Sequence, residues 1–226
     1  MKRTAGPNRA AVSPRSRGET EATRILLYVP IIHTRIDMGT LAGSVRRLTA
    51  QKLSRQVLKR NEEVIGRMWT LITEEIEQWE LPWAKVRLYQ DGLPRCGSEA
   101  DIVRELAQVG SPNHRILSRL MERGATLMGT ESPELLLKEY GLVKEVLAAA
   151  DPQEAAQLEA RARGRSRKLL HDRDRYIASR INDSLRPGEI GILFLGLLHS
   201  PERWLDRDIE VRFPIEPLDR MRRRVQ

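Results

Sequence analysis

Cysteine is nearly absent from this 226-residue chain, which carries Cys96 alone. One thiol excludes an intramolecular disulfide framework and a cysteine zinc cluster, and it fits a reducing, cytoplasmic compartment. Aromatic residues make up 4% of the chain, too few for a platform on which single-stranded nucleic acid could stack. Long apolar runs are missing as well. The two longest, near residues 25–32 and 190–198, are strand-sized and fall short of the roughly 20 residues that span a bilayer. The first 20 residues lack the apolar centre of a secretory signal. No Gly-x-x-x-x-Gly-Lys phosphate loop and no Gly-x-Ser-x-Gly elbow occurs, which argues against nucleoside triphosphatases and serine hydrolases of those types.

Charge, by contrast, is plentiful: 31% of residues are charged and the net charge is +8. It is concentrated at the ends. Residues 1–23 hold five basic residues against Glu19 and Glu21, and residues 219–226 hold four arginines against Asp219, so each end carries +3 and the remainder only +2. We expect a disordered basic tail over 1–23, a single domain over 24–216 and a basic carboxyl-terminal tail over 217–226. Such tails suit nonspecific contact with nucleic acid.

The body alternates strand and helix signals. Gly188 to His199 is a nearly unbroken apolar run bounded by Pro187 and Pro201, the pattern of a strand buried on both faces. Arg24 to His33 follows the same plan, with Pro30 pointing to an edge position or a bulge. Lys85 to Tyr89 and Ala125 to Gly129 read as further strands, and Asp208 to Ile215 as a final edge strand. Apolar spacing from Leu41, Val45 and Leu48 to Trp79 predicts one long helix or two over 40–80, a face that also suits homodimerisation. Shorter helices are expected over 99–109 and 112–123, and another after Ser132-Pro133. Asp151-Pro152 opens a further helical region, with a basic run interrupted at Gly164 and a last segment over 166–186. This order predicts an α/β protein with a mostly parallel central sheet of four or five strands, flanked by helices with long helical excursions.

Ligands of open parallel sheets bind at the carboxyl ends of the strands. His33 and His199 each close a strand there, and Asp37, Gln90, Asp91 and Glu131 lie in connectors expected on the same rim. Histidines with carboxylates can bind a divalent metal, with His33, Asp37 and His199 as the ligand set, or act as an acid/base pair on water. Strand-end capping is the structural reading of the histidines, a turn before Gly92 that of Asp91, and a helix cap that of Asp37. Arg173 and Asp174 extend the inward stripe of Ile177 and Ile181 by one turn. Arg173 either clamps an anionic substrate group or forms an internal salt bridge with Asp174 or another acid. His114 is expected at the surface, and Cys96 has no histidine mate.

Four segments, Ile31 to Gly39, Tyr89 to Pro94, Leu127 to Leu135 and Phe194 to His199, resemble a family of bacterial proteins of about this length and unknown function. More distantly, Gly196-Leu-Leu-His199 preceded by the helix Arg173 to Ala178 resembles the carboxyl half of the TraB, Tiki, ChaN and erythromycin-esterase superfamily. That group pairs two Gly-x-x-His motifs around a pocket with acidic residues and an arginine, and its Tiki members are metal-dependent proteases. The resemblance implies a second-motif role for His199, an arginine role for Arg173 or Arg175, and a first-motif role for His33 with Pro30 in place of the glycine. The expectation from the sequence is a hydrolase-like protein acting on a small or peptide substrate with an anionic group, alternatively a non-catalytic ligand-sensing or nucleic-acid-associated module.

Overall fold

A computed structural model describes residues 23–34, 37 and 54–215 of the chain. The expected tails and the Leu41, Val45, Leu48 part of the long helix lie outside the described residues, apart from Thr23. Five strands, β1 (Arg24–Ile31), β2 (Val86–Gln90), β3 (Thr126–Leu127), β4 (Ile190–Gly196) and β5 (Ile209–Arg212), form one sheet in the order β3-β2-β4-β1-β5. Every pairing is parallel. Strand β4 lies at the centre, with Ile192, Leu193, Phe194 and Leu195 fully buried, as an apolar run without alternation requires.

Five helices cover the sheet: α1 (Arg55–Glu77), α2 (Glu99–Gln108), α3 (Pro112–Glu122), α4 (Pro133–Leu147) and α5 (Pro152–Ser184). On one face Val29, Ile31, Val86, Leu88, Ile192 and Phe194 pack against Trp69, Ile72 and Ile76 of α1, Val103 of α2, and Ile116, Leu117 and Leu120 of α3. On the other, Leu26, Tyr28, Tyr89, Leu193 and Leu195 meet Ile177 and Ile181 of α5. The period-2 alternation of strand side chains sorts the two sets. Three helices open on the same chemistry: Ser111, Ser132 and Asp151 accept from backbone N–H groups of the first turn, each followed by proline at the first helical position.

Two sequence expectations are corrected. The chain passes through Gly164 without a break, and α5 is a single helix of 33 residues. One glycine costs a helix only about 1 kcal/mol relative to alanine, too little to divide a segment otherwise rich in arginine, alanine and leucine. Pro30 does not place β1 at an edge, since β1 is flanked by β4 and β5. Arg24 N–H donates toward β5 and Ile25 N–H toward β4, so alternation sends the missing Pro30 donor to the β5 side. There β5 has already ended, its pairing reaching only Leu27, and no ladder bond is lost.

Candidate functional site at the carboxyl edge of the sheet

The loops leaving β1, β2, β3 and β4 deliver His33, Asp91, Glu131 and His199 to one rim. Asp91 follows Gln90 in a turn closed by Leu93 N–H to Gln90 O, with Gly92 at φ 74°, where glycine is favoured. The turned segment then runs beside the chain after β3: Thr130 and Glu131 N–H both donate to Leu93 O, and Arg95 N–H to Glu131 O. These bonds continue the β2–β3 pairing past the strands and hold Glu131, which is fully buried, next to Asp91. From the other side α5 presents Arg173 and Asp174, one turn from Ile177 on the stripe that packs on the sheet.

Arg173 is the centre of the cluster. Its Nε donates to Glu131 Oε2 at 2.6 Å, its Nη2 to Glu131 Oε1 at 2.5 Å and to Asp91 Oδ1 at 2.8 Å, and its Nη1 to Glu139 Oε1 at 2.5 Å. The second oxygen of Asp91 accepts Gly196 N–H and meets His33 Nε2, both at 2.9 Å. His199 Nε2 lies 3.8 Å from that same oxygen, while its Nδ1 is 2.6 Å from Asp174 Oδ1. Ser200 N–H fixes the other Asp174 oxygen at 3.0 Å. Gly196, the first residue of Gly-x-x-His, is required by this geometry: a Cβ there would lie 2.9 Å from Asp91 Oδ2, 3.6 Å from His199 Cδ2 and 3.8 Å from His33 Nε2. Both imidazoles and the Asp91 carboxylate thus converge on one backbone position.

The electrostatics follow from burial and charge balance. Burial alone would raise the Asp91 pKa, but His199, His33 and Arg173 overcome it and hold the carboxyl well below the usual range. Burial works against protonated His33 and His199, yet Asp91 outweighs it for His33, and Asp91 with Asp174 for His199, so both imidazoles titrate above the ordinary 6.5. Glu131 is pushed up from its ordinary value by burial, only partly offset by Arg173. The side chains of His199 and Asp91 are 6% and 5% exposed, whereas that of His33 is 36% exposed, so His33 is where solvent meets the cluster.

The remaining sequence candidates are placed differently. Gln90 is buried, its Nε2 donates to Asp91 O, and its Oε1 has no partner. Arg175 is exposed on α5, turned away from the cluster that its neighbour Arg173 centres. Asp37 belongs to a second polar group: Oδ2 accepts from Thr34 N and Oγ1 at 2.6 and 2.8 Å, and Oδ1 from Ser111 Oγ at 2.6 Å. Ser111 Oγ also lies 2.7 Å from His114 Nδ1, so His114, expected at the surface, is buried. Burial pushes the Asp37 pKa up, but His114, Ser111 and Thr34 bring it down to about 2.

The donor set expected for a divalent metal is therefore not assembled. Asp37 has both oxygens engaged with Thr34 and Ser111, and both oxygens of Asp91 already face Arg173, Gly196 N–H and His33. Among the described residues no group of three His, Cys, Asp or Glu side chains is arranged to hold a metal ion. Arg173, read as a clamp for an anionic group or as an internal salt bridge, uses four N–H bonds on three internal carboxylates, and Asp174 pairs with His199 instead. Glu139 of α4 joins the cluster without any sequence signal, since it lies on a half-exposed face of its helix.

Compared with protein-family models, curated proteins and solved structures, the chain matches none. Fold and site together define its class as an α/β protein with an all-parallel five-stranded sheet and a histidine–carboxylate–arginine cluster at the carboxyl edge. No helix among the described residues is long and apolar enough to cross a membrane.

Proposed function

We propose that the protein is a hydrolase-like enzyme working by acid/base chemistry at His33. The observation that carries this reading is that His33, the solvent-facing member of the cluster, meets with His199 at one carboxylate, Asp91, beside a glycine that leaves no side chain between them. Asp91 orients the His33 ring and favours its protonated form, while Arg173 and Glu131 fix Asp91 from behind. His33 takes the proton of an attacking water as its oxygen adds to an electrophilic carbon or phosphorus, then returns that proton to the leaving group as the scissile bond breaks. His199, with Nδ1 held by Asp174, keeps a positive charge behind Asp91. Since Arg173 is committed internally, protonated His33 is the group left to attract an anionic substrate. The two histidine-terminated strands and Gly196-Leu-Leu-His199 also suit the distant superfamily resemblance.

The test is a panel of p-nitrophenyl acetate, p-nitrophenyl phosphate and a fluorogenic peptide, assayed with wild type, His33→Ala and Asp91→Asn. Hydrolysis of at least one substrate should fall at least a hundredfold in His33→Ala, as expected for loss of a general acid/base. Its rate should rise with pH through a midpoint above 6.5 that moves down in Asp91→Asn. Turnover of no substrate, or equal turnover by wild type and His33→Ala, refutes the proposal.

A further inference from the structure

Helix α4 is strongly apolar and poorly covered. Eight of its 15 residues are leucine, valine or tyrosine, yet none of the 15 is buried. Leu137, Tyr140 and Val143 are 71%, 42% and 37% exposed, which a helix packed on only one side explains. Between α4 and the first half of α5 runs a groove of about 490 Å³. Its floor is Leu142, Val146 and Leu147 from α4 with Ala162 and Leu169 from α5. Beyond it, the tip of this helical hairpin closes on its own small core, Ala149 and Ala155 with Val146, Leu147 and Leu158, separate from the two cores of the sheet.

The rim of the groove is basic. Arg163 and Arg167, both exposed, line it one turn apart on α5. Their neighbour Arg165 is engaged with Glu145 at 3.3 Å, and Lys168 with Asp172 at 2.8 Å. Among the described residues Arg163 and Arg167 have no carboxylate partner. An occupant must therefore supply both an apolar surface and negative charge. The chain's own segments outside the described residues do not: residues 1–22, 38–53 and 216–226 are each net positive. Two hairpins meeting face to face would set arginine against arginine.

We infer that the α4–α5 groove is a docking site for an acidic amphipathic helix of a partner protein, with apolar residues on its buried stripe and carboxylates one turn apart facing Arg163 and Arg167. Helix-in-groove recognition supplies affinity through the apolar stripe, and the paired charges supply register and selection against basic helices. The site is separate from the histidine cluster, although Glu139 lies on both, lining the groove while it accepts from Arg173.

The test uses the full chain and two fluorescein-labelled synthetic helices of about 18 residues. Both carry leucine at i, i+3, i+7 and i+10, one with glutamate and the other with lysine along the flanks. Fluorescence anisotropy at low and physiological salt should show the glutamate helix binding roughly tenfold or more tightly than the lysine helix. Arg163→Glu/Arg167→Glu should invert that preference while keeping the melting temperature of wild type. Equal binding of both helices, or binding of neither, overturns the inference. So does cosedimentation with phosphatidylglycerol vesicles that is lost in the double variant, which would assign the rim to a lipid surface. Concentration-dependent self-association abolished by the same variant would assign the groove to a second copy and overturn it too.

Discussion

Replacing Arg173 with methionine removes one charge while leaving a side chain of similar length in place. Arg173 is 4% exposed and donates four hydrogen bonds to three carboxylates. Their fates differ. Glu139, with its side chain 41% exposed, can turn to water and contributes little. Asp91 keeps Gly196 N–H and the His33 and His199 imidazoles. Glu131 is left fully buried with only Gly92 N–H at 2.8 Å, a lone charge without a cation. Breaking a buried pair by removing one partner costs about 3–5 kcal/mol. At roughly 2–4 °C per kcal/mol for a chain of this size, melting should fall by about 10 °C. The cost must also depend on pH. The Glu131 pKa is already raised by burial, and loss of Arg173 raises it further. As pH falls through that value the acid becomes neutral and no longer needs a cation, so the deficit shrinks. Urea unfolding of wild type and Arg173→Met at pH 7.5 and pH 5 measures both, and adding Glu131→Gln to Arg173→Met should recover more than half of the loss at pH 7.5. A deficit below about 1 kcal/mol, or one of equal size at both pH values, refutes the argument that Arg173 neutralises buried charge.

Three further outcomes are expected. The His33 and His199 pKa values are raised above 6.5, so their contribution to stability is full below that pH and is lost as pH rises through the folded-state values; ring-proton NMR should show both midpoints moving down in Asp91→Asn. Gly196→Ala would press a methyl group onto Asp91 Oδ2, and should cost about 1–3 kcal/mol in chemical denaturation. It should also return the His33 midpoint toward 6.5 by moving Asp91 away. Gly164→Ala meets nothing within 4 Å in the middle of α5 and should stabilise the protein by about 0.5–1 kcal/mol; destabilisation would contradict a continuous helix there.

The sheet and its rim were legible because both rest on local patterns. An unbroken apolar run ending in a polar residue specifies a buried strand and its exit, and this placed His33, Asp91, Glu131 and His199 on one edge. The inward stripe of α5 likewise revealed that Arg173 and Asp174 face the interior. Periodicity fixes which way a side chain points, but the acceptor it finds depends on distant loops. That is why Asp174 holds His199 while Arg173 reaches Glu131, Asp91 and Glu139. Asp37 follows the same rule: only the fold brings Ser111, far along the chain, against it and away from the two histidines. Glu139 is an ordinary helical glutamate until α5 crosses α4, and no spacing marks it in advance.

The sheet ends on short strands at both sides. Strand β3 contributes two residues, and β5 four, of which Glu210 and Arg212 are tied to each other by charge. An outer strand exposes a row of unpaired donors and acceptors that another extended chain can copy, and the length of that row sets how far such a copy can grow. With so few residues on either flank, an incoming strand could gain only a few backbone hydrogen bonds before running off the end. A sheet rich in isoleucine and leucine at its centre is thereby kept from seeding fibrils, and the chain can concentrate without its strands recruiting one another.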